Sequence, residues 1–116
     1  MNTNGISQEV IRDITDFRDE RNWKQFHTPK DLAISISLEA AELLEIFQWS
    51  GSDTSADGKQ DKIREELADV MIYSILMCDA CGLDPEEIIR EKLAANRAKY
   101  PVSKAYGRSN KYNELD

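Results

Sequence analysis

Histidine, cysteine and basic charge are all scarce in this sequence. Its 116 residues include one histidine and two cysteines, and 15 lysines and arginines stand against 22 aspartates and glutamates. This acidic balance disfavours binding to the backbone of a nucleic-acid polymer. Cys78 and Cys81 lack the second pair that a structural zinc site needs, so we expect both to be buried, inert thiols. With His27 alone, the Glu-x-x-His ligands of a di-iron bundle are also missing.

Long apolar runs are missing as well. No stretch reaches the roughly 18 uncharged apolar residues of a membrane span, and the first residues, MNTNGISQEV, lack the basic and apolar regions of a signal peptide. We therefore expect a cytoplasmic protein with no membrane partner. No alternating strand pattern and no internal repeat appears, which leaves helices as the predicted elements.

Four helices are predicted from apolar spacings of three and four and from cap residues. Thr28 and Asp84 suit N-caps, because each precedes a proline whose missing N–H is no loss in a first turn. Gly82 suits the C-terminal cap of the third helix. The predicted helices run approximately from Ser7 to Trp23, from Pro29 to Trp49, from Asp57 or Lys59 to Cys81, and from Pro85 to just before Pro101.

These helices predict an all-α fold resembling a four-helix bundle. We expect one domain over residues 1–103 and a polar tail, extended or mobile, over residues 104–116. The segment VMIYSILMC is apolar nearly all round, which is typical of a central helix. The second and third helices are too apolar for a lone bundle, so we predict a homo-oligomer, either a dimer or a tetramer.

Carboxylates recur along the two most apolar helices. Glu39, Glu42 and Glu45 follow one another at steps of three in SLEAAELLEIFQW, and Glu66 and Asp69 are three apart in EELADV. Such spacing puts side chains on successive turns of one helix face. If the helices pack antiparallel, the pairs meet, and a cation between them would relieve their repulsion. Oxygen ligands favour Mg²⁺, with Mn²⁺ as a substitute.

A second interpretation of the same carboxylates stays open. They are either solvated or paired with lysines and arginines of a neighbouring helix, as is common in helical proteins. In that case the protein would be a helical adaptor without catalytic activity, and the acidic pairs would be structural.

A longer pattern resembles a known family. Glu39-x-x-Glu42 followed by Glu66-x-x-Asp69 is similar to the metal motif of the MazG-like, all-α nucleoside triphosphate pyrophosphohydrolases. The block RNWKQFHTPKDLAISISLEAAELLEIFQW resembles the dCTP pyrophosphatase branch, and KLAANRAKYPV resembles the closing helix of the family. The resemblance covers approximately residues 6–103.

The resemblance implies a reaction and a metal site. Family members hydrolyse a nucleoside triphosphate between its α and β phosphates, which releases a monophosphate and pyrophosphate and serves nucleotide-pool sanitation. Mg²⁺ would bind Glu39, Glu42, Glu66 and Asp69. Glu42 or Glu45 would take the proton of the attacking water. Deoxynucleotides such as dCTP, or oxidised or methylated nucleotides, are the implied substrates.

The resemblance also implies a set of substrate-binding residues. It places Trp23, His27 and Trp49 around the base, although His27 also suits a structural role in the turn before the second helix. Where a first-helix histidine is expected in the vertebrate-type branch this chain has Ile14, which leaves its base preference open. The remaining candidates contact phosphate or sugar: Lys92, Asn96 and Tyr100, spaced by four on the fourth helix, and Lys104 and Lys111 in the tail.

Overall fold

The structure, a computed structural model, describes residues 5–115, and every regular element within them is helical. The predicted all-α class is therefore confirmed. The chain forms two compact units that divide between Gly82 and Leu83. Five α-helices follow in order: α1 (Gln8–Glu20), α2 (Pro29–Glu45), α3 (Gln60–Cys81), α4 (Pro85–Lys99) and α5 (Val102–Ala105), with 3₁₀ helices at Lys24–Phe26 and Tyr112–Glu114.

The helix starts follow local cap chemistry. The Thr28 hydroxyl accepts a hydrogen bond from the Asp31 N–H at 3.2 Å, and Pro29 begins α2. The Asp84 carboxylate likewise accepts from an N–H in the first turn of α4. At the other end of α3, Gly82 takes the left-handed conformation with φ of 66°. These three predicted caps are confirmed, since each depends on residues within one helical turn.

The predicted end of the first helix at Trp23 is wrong, because α1 stops at Glu20. Asn22 has a φ of 55°, a left-handed conformation that asparagine tolerates better than most residues. The Trp23 N–H then donates to the carbonyl of Arg18 at 3.1 Å and closes the helix end.

The predicted end of the second helix at Trp49 is also wrong. The α-helix stops at Glu45, and residues 46–49 form turns. The N–H groups of Phe47 and Gln48 donate to carbonyls three residues earlier, at 3.0 and 3.1 Å. This tightening satisfies carbonyls at the helix end but takes the chain out of α-helical geometry.

The predicted tail is not devoid of structure. After Pro101, the chain forms α5, in which the Ala105 N–H donates to the Pro101 carbonyl at 2.9 Å. Further on, the ring of Tyr112 stands edge to face with that of Tyr100, with centroids 6.3 Å apart. An irregular polar sequence thus gains helical turns from local contacts. The division at residue 103 stays a prediction.

Helices α2 and α3 of the first unit pack antiparallel. The Lys59 ammonium at the start of α3 lies 5.8 Å from the ring centroid of Phe47, just beyond α2. Further along, Glu39 on α2 interacts electrostatically with Asp69 on α3. Rising numbers on one helix therefore meet falling numbers on the other, which is the arrangement that brings the two acidic pairs together.

The interior of the described chain is small. Four hydrophobic side chains are buried, namely Leu32, Ile75, Leu76 and Cys78. Cys78 fits the prediction, but Cys81 is exposed, because it ends α3. No helix within residues 5–115 is long and apolar enough to cross a membrane. Many large apolar side chains remain in contact with solvent, and this bears on assembly.

Candidate metal and substrate site

Three carboxylates from α2 and α3 converge in the first unit. Glu39, Glu42 and Glu66 each offer one oxygen, and the three oxygens lie within 4.8 Å of one another. The spacing of three between Glu39 and Glu42 puts both on one face of α2. Antiparallel packing then brings Glu66 of α3 to that face. We call Glu39, Glu42, Glu66 and Asp69 the acidic cluster.

In the acidic cluster, the folded structure disfavours the charged forms of Glu39 and Glu66. Burial is the largest cause that raises the pKa of Glu39 to about 7, followed by the nearby carboxylates of Glu42, Asp69 and Glu66. The adjacent Glu42 carboxylate is the largest cause that raises the pKa of Glu66, followed by burial. Such shifts arise where like charges share a partly desolvated site, which is common at functional sites.

The acidic cluster also lacks internal partners. Glu39 and Glu66 each bury an Oε2 atom that no hydrogen bond satisfies. Within residues 5–115, no lysine or arginine forms an ion pair with any of the four carboxylates. The described residues therefore supply none of the salt bridges that would pair these carboxylates in the second interpretation, which leaves solvation as its remaining form. Unsatisfied carboxylate oxygens at this spacing fit a hard divalent cation.

A cleft of about 360 Å³ adjoins the acidic cluster in the same unit. Asp69 belongs to both, since it lines the cleft and interacts with Glu39 and Glu66. A volume of this size lies within the range of small-molecule pockets, about 300–1,000 Å³. The other lining residues come from α1, the segment after it and α3: Val10, Asp13, Ile14, Phe17, Arg18, Trp23, His27, Ile72, Tyr73 and Leu76.

Two of the predicted base-binding residues, Trp23 and His27, line this cleft. The Trp23 ring packs against Phe17 at 5.8 Å between centroids, nearly perpendicular to it. The Nδ1 atom of His27 is buried without a hydrogen-bond partner. Burial, then the charge of Arg18, lowers the pKa of His27, so its imidazole is neutral at pH 7. Ile14, at the position of the expected histidine, lines the cleft as well.

Other predicted residues lie outside the acidic cluster and the cleft. Glu45 is exposed at the end of α2, and Trp49 is 89% exposed in the turn beyond it. The remaining candidates belong to the second unit: Lys92 and Asn96 on α4, Tyr100 at its C-terminal cap, Lys104 in α5 and Lys111 before the last 3₁₀ helix.

Arg18 is a lining residue that sequence reasoning missed. It stands among charged neighbours in FRDE, a pattern typical of a solvated helix face. Its side chain is nevertheless buried against α3, where Asp79 accepts a hydrogen bond from it. The available signal was the spacing of four from Ile14, which places Arg18 on the apolar face of α1.

Comparison with known proteins agrees with this fold. The MazG-like family pattern matches residues 34–115. The chain is 34% identical over 113 residues to dCTP pyrophosphatase 1 of Rattus norvegicus, covering 93% of this chain and 66% of that protein. The human dCTP pyrophosphatase 1 gives the same values. The crystal structure of a pyrophosphatase from Archaeoglobus fulgidus matches with a TM-score of 0.76 and 38% identity, over 87% of this chain and 99% of that one.

Fold and site together define an all-α protein with a carboxylate cluster at an apolar cleft. The chain belongs to the MazG-like family. It spans about two thirds, 66%, of the length of these mammalian relatives.

Proposed function

We propose that this chain is a nucleotide pyrophosphohydrolase that uses Mg²⁺ to cleave nucleoside triphosphates between the α and β phosphates. The observation that carries the proposal is the acidic cluster, whose unsatisfied oxygens adjoin a base-sized cleft through Asp69. The relatives named dCTP pyrophosphatase and the pyrophosphatase of known structure support the same reaction. Its role would be sanitation of the nucleotide pool in the cytoplasm, acting on dCTP or on modified deoxynucleotides.

The residues of the acidic cluster fit a magnesium site. Glu39, Glu42 and Glu66, whose oxygens converge, would hold the cation together with Asp69, which interacts electrostatically with Glu39 and Glu66. Mn²⁺ would substitute, because it accepts the same oxygen donors. When bound, the cation would neutralise the triphosphate and act as a Lewis acid on its phosphoryl oxygens.

A carboxylate of α2 would take the proton of the attacking water. Glu42 and Glu45 are the two proposed bases. Glu42 offers an oxygen within 4.8 Å of oxygens of Glu39 and Glu66, whereas Glu45 lies outside the acidic cluster at the end of the helix. Glu42→Gln should therefore reduce pyrophosphate release more than Glu45→Gln does.

Substrate recognition would be divided between base and phosphates. Trp23 would stack on the base and His27 would hydrogen-bond to it, since both line the cleft. Trp49, 89% exposed in the turn beyond α2, is the third residue proposed to contact the base. Polar side chains of the second unit would bind phosphate or sugar: Lys92, Asn96 and Tyr100, with Lys104 and Lys111 from the tail.

We also propose that the protein is a homo-oligomer, a dimer or tetramer. Helices α2 and α3 leave large apolar side chains exposed, among them Leu38 at 60%, Leu44 at 71% and Met71 at 49%. Burying such side chains against a second copy is favourable at about 25 cal/mol per Å². Sedimentation of the purified chain tests this proposal.

Pyrophosphate release from a panel of canonical, oxidised and methylated nucleotides would test the activity. Release should require Mg²⁺ or Mn²⁺ and stop in EDTA. Glu66→Gln should abolish it, whereas Glu65→Gln should not, because the neighbouring Glu65 is exposed and pairs only with Lys62 at 3.5 Å. Silence with every nucleotide, together with no effect of Mg²⁺ on thermal unfolding, would instead support the helical adaptor.

A further inference from the structure

Arg18 is the one buried charged residue in the described part of the chain, with 4% of its surface exposed. Its side chain extends from α1 into the interior of the first unit and makes two ion pairs. Its Nε donates to Asp19 at 2.9 Å, and its Nη1 donates to Asp79 of α3 at 2.7 Å. Burying an arginine is unfavourable unless its charge is paired, so the burial of Arg18 depends on these two carboxylates.

The hydrogen-bonding capacity of Arg18 exceeds these two contacts. A guanidinium carries five N–H donors in a fixed planar arrangement. Among residues 5–115, only Asp19 and Asp79 accept from it, and neither contact uses Nη2. Arg18 also lines the cleft, which makes its uncommitted Nη2 a candidate donor to a molecule bound there.

The charge of Arg18 is already balanced by two carboxylates. A second anion, such as a phosphate, would therefore gain little at this position and would be repelled by Asp19 and Asp79. A neutral acceptor suits the uncommitted donors better, and the carbonyl oxygens on the edges of the bases are such acceptors. Arg18 accordingly fits the base and not the phosphates.

The position of Arg18 along the cleft agrees with this assignment. Its partner Asp79 lies ten residues beyond Asp69 on α3, which corresponds to about 15 Å along the helix axis. Asp69 belongs to the acidic cluster, where the phosphates are proposed to bind. A nucleotide held there would extend its base along the cleft toward Arg18.

We propose that Arg18 is a specificity-determining residue that donates a hydrogen bond to a carbonyl oxygen on the edge of the substrate base. This inference rests on the proposed pyrophosphohydrolase function and adds a substrate class to it. Cytosine, thymine and guanine carry a carbonyl oxygen, whereas adenine carries none. The protein should thus act on dCTP, dTTP or dGTP in preference to dATP, whose base offers ring nitrogens but no carbonyl oxygen to the donors of Arg18.

The competing polar groups of the cleft do not supply this discrimination. Asp13 and Asp69 are acceptors, and Asp13 is exposed to water, which would hydrate it with any base bound. His27 offers a single donor in its neutral form, and Tyr73 offers a hydroxyl that both donates and accepts. Arg18 is the only one of these residues that combines burial with several donors and no acceptor.

The test compares kcat/KM for the four deoxynucleotides in the wild type, Arg18→Lys and Asp79→Asn. We expect the best carbonyl-bearing base to exceed dATP by about tenfold to a hundredfold in the wild type. Arg18→Lys keeps the charge but loses the planar donors, so this ratio should fall toward one. Asp79→Asn keeps Arg18 and weakens its ion pair, so the ratio should persist.

Three results would overturn the proposal. The first is equal kcat/KM for dATP and the other nucleotides in the wild type, which decides the question even if Arg18→Lys does not fold. The second is an unchanged ratio in a folded Arg18→Lys. The third is an equal loss of the ratio in Asp79→Asn, which would mean that the ion pair acts only by holding α1 against α3.

Equilibrium binding separates this inference from the proposed function. If the wild type hydrolyses no nucleotide, the proposed function fails, but calorimetric titration with dCMP, dTMP, dGMP and dAMP still tests Arg18. Selective binding of at least one carbonyl-bearing monophosphate that Arg18→Lys abolishes would support the role in base recognition. Equal binding of dAMP and the other three monophosphates would overturn it.

Discussion

Replacing Glu39 by glutamine should change how the stability of the metal-free protein depends on pH. The folded chain raises the pKa of Glu39 from its ordinary 4.5 to about 7. Between these values the folded state binds more protons than the unfolded state, so the free energy of unfolding falls as pH rises. The loss of stability caused by ionising Glu39 in the folded chain is absent below pH 4.5 and complete above pH 7.

The size of the effect follows from the same pKa. One pKa unit corresponds to about 1.4 kcal/mol, so a fully desolvated carboxyl would lose about 3 kcal/mol. Solvent reaches the acidic cluster and screens it, which reduces the expected loss to about 1–2 kcal/mol. At roughly 4 °C per kcal/mol, the Tm of the wild type should fall by about 4–8 °C relative to Glu39→Gln between pH 5 and pH 8.

The pH dependence of stability must be compared between the wild type and Glu39→Gln. His27 acts in the opposite direction, because its lowered pKa adds stability as pH rises through its titration. The slope of the wild type alone is therefore ambiguous, and thermal unfolding in EDTA should be followed for both proteins. Glu65→Gln serves as the control, since Glu65 is exposed on the same unit. Parallel pH profiles for the wild type and Glu39→Gln would refute the electrostatic account of the acidic cluster.

Three further changes test the metal site, a helix cap and the core. At a Mg²⁺ concentration a hundredfold above its Kd, the wild type and Glu65→Gln should gain about 2.7 kcal/mol in thermal-shift assays, and an equal gain in Glu66→Gln would contradict the metal assignment. Thr28→Ala removes the oxygen that accepts a first-turn N–H at 3.2 Å, so urea unfolding should show a loss of about 1 kcal/mol, whereas no loss would mean the cap is dispensable. Leu32 is 1% exposed, and Leu32→Ala should lose about 2–5 kcal/mol by the same measurement; a loss under about 1 kcal/mol would show that the site collapses around the smaller side chain.

The features that the sequence predicted well are those determined within one or two helical turns. Thr28 before Pro29, and Gly82 after an apolar run, mark helix ends by their own backbone and side-chain chemistry. The acidic cluster was predictable for the same reason, because steps of three fix the face of each helix. Only the antiparallel packing had to be assumed.

The features that the sequence did not predict depend on distant partners or on alternative hydrogen bonds. Helix α2 ends at Glu45 because the next N–H groups donate to carbonyls three residues earlier. Such hydrogen bonds compete closely with the α-helical ones, which join residues four apart. Arg18 looks solvated in its own sequence, and its burial depends on Asp79, sixty-one residues later. No local pattern reveals that pairing.

The contrast between Arg18 and the acidic cluster connects stability with the proposed activity. Arg18 is buried and lines the cleft, whereas the acidic cluster adjoins the cleft through Asp69 and is partly open to solvent. Arg18 has two carboxylate partners, so its charge is balanced within the chain and stabilises the position of α1. The charges that raise the pKa of Glu39 are those of other carboxylates, so the folded chain is less stable while no cation balances them. The paired charge of Arg18 thus holds α1 against α3, whereas the unpaired charge of the acidic cluster would provide the driving force for the proposed binding of a cation.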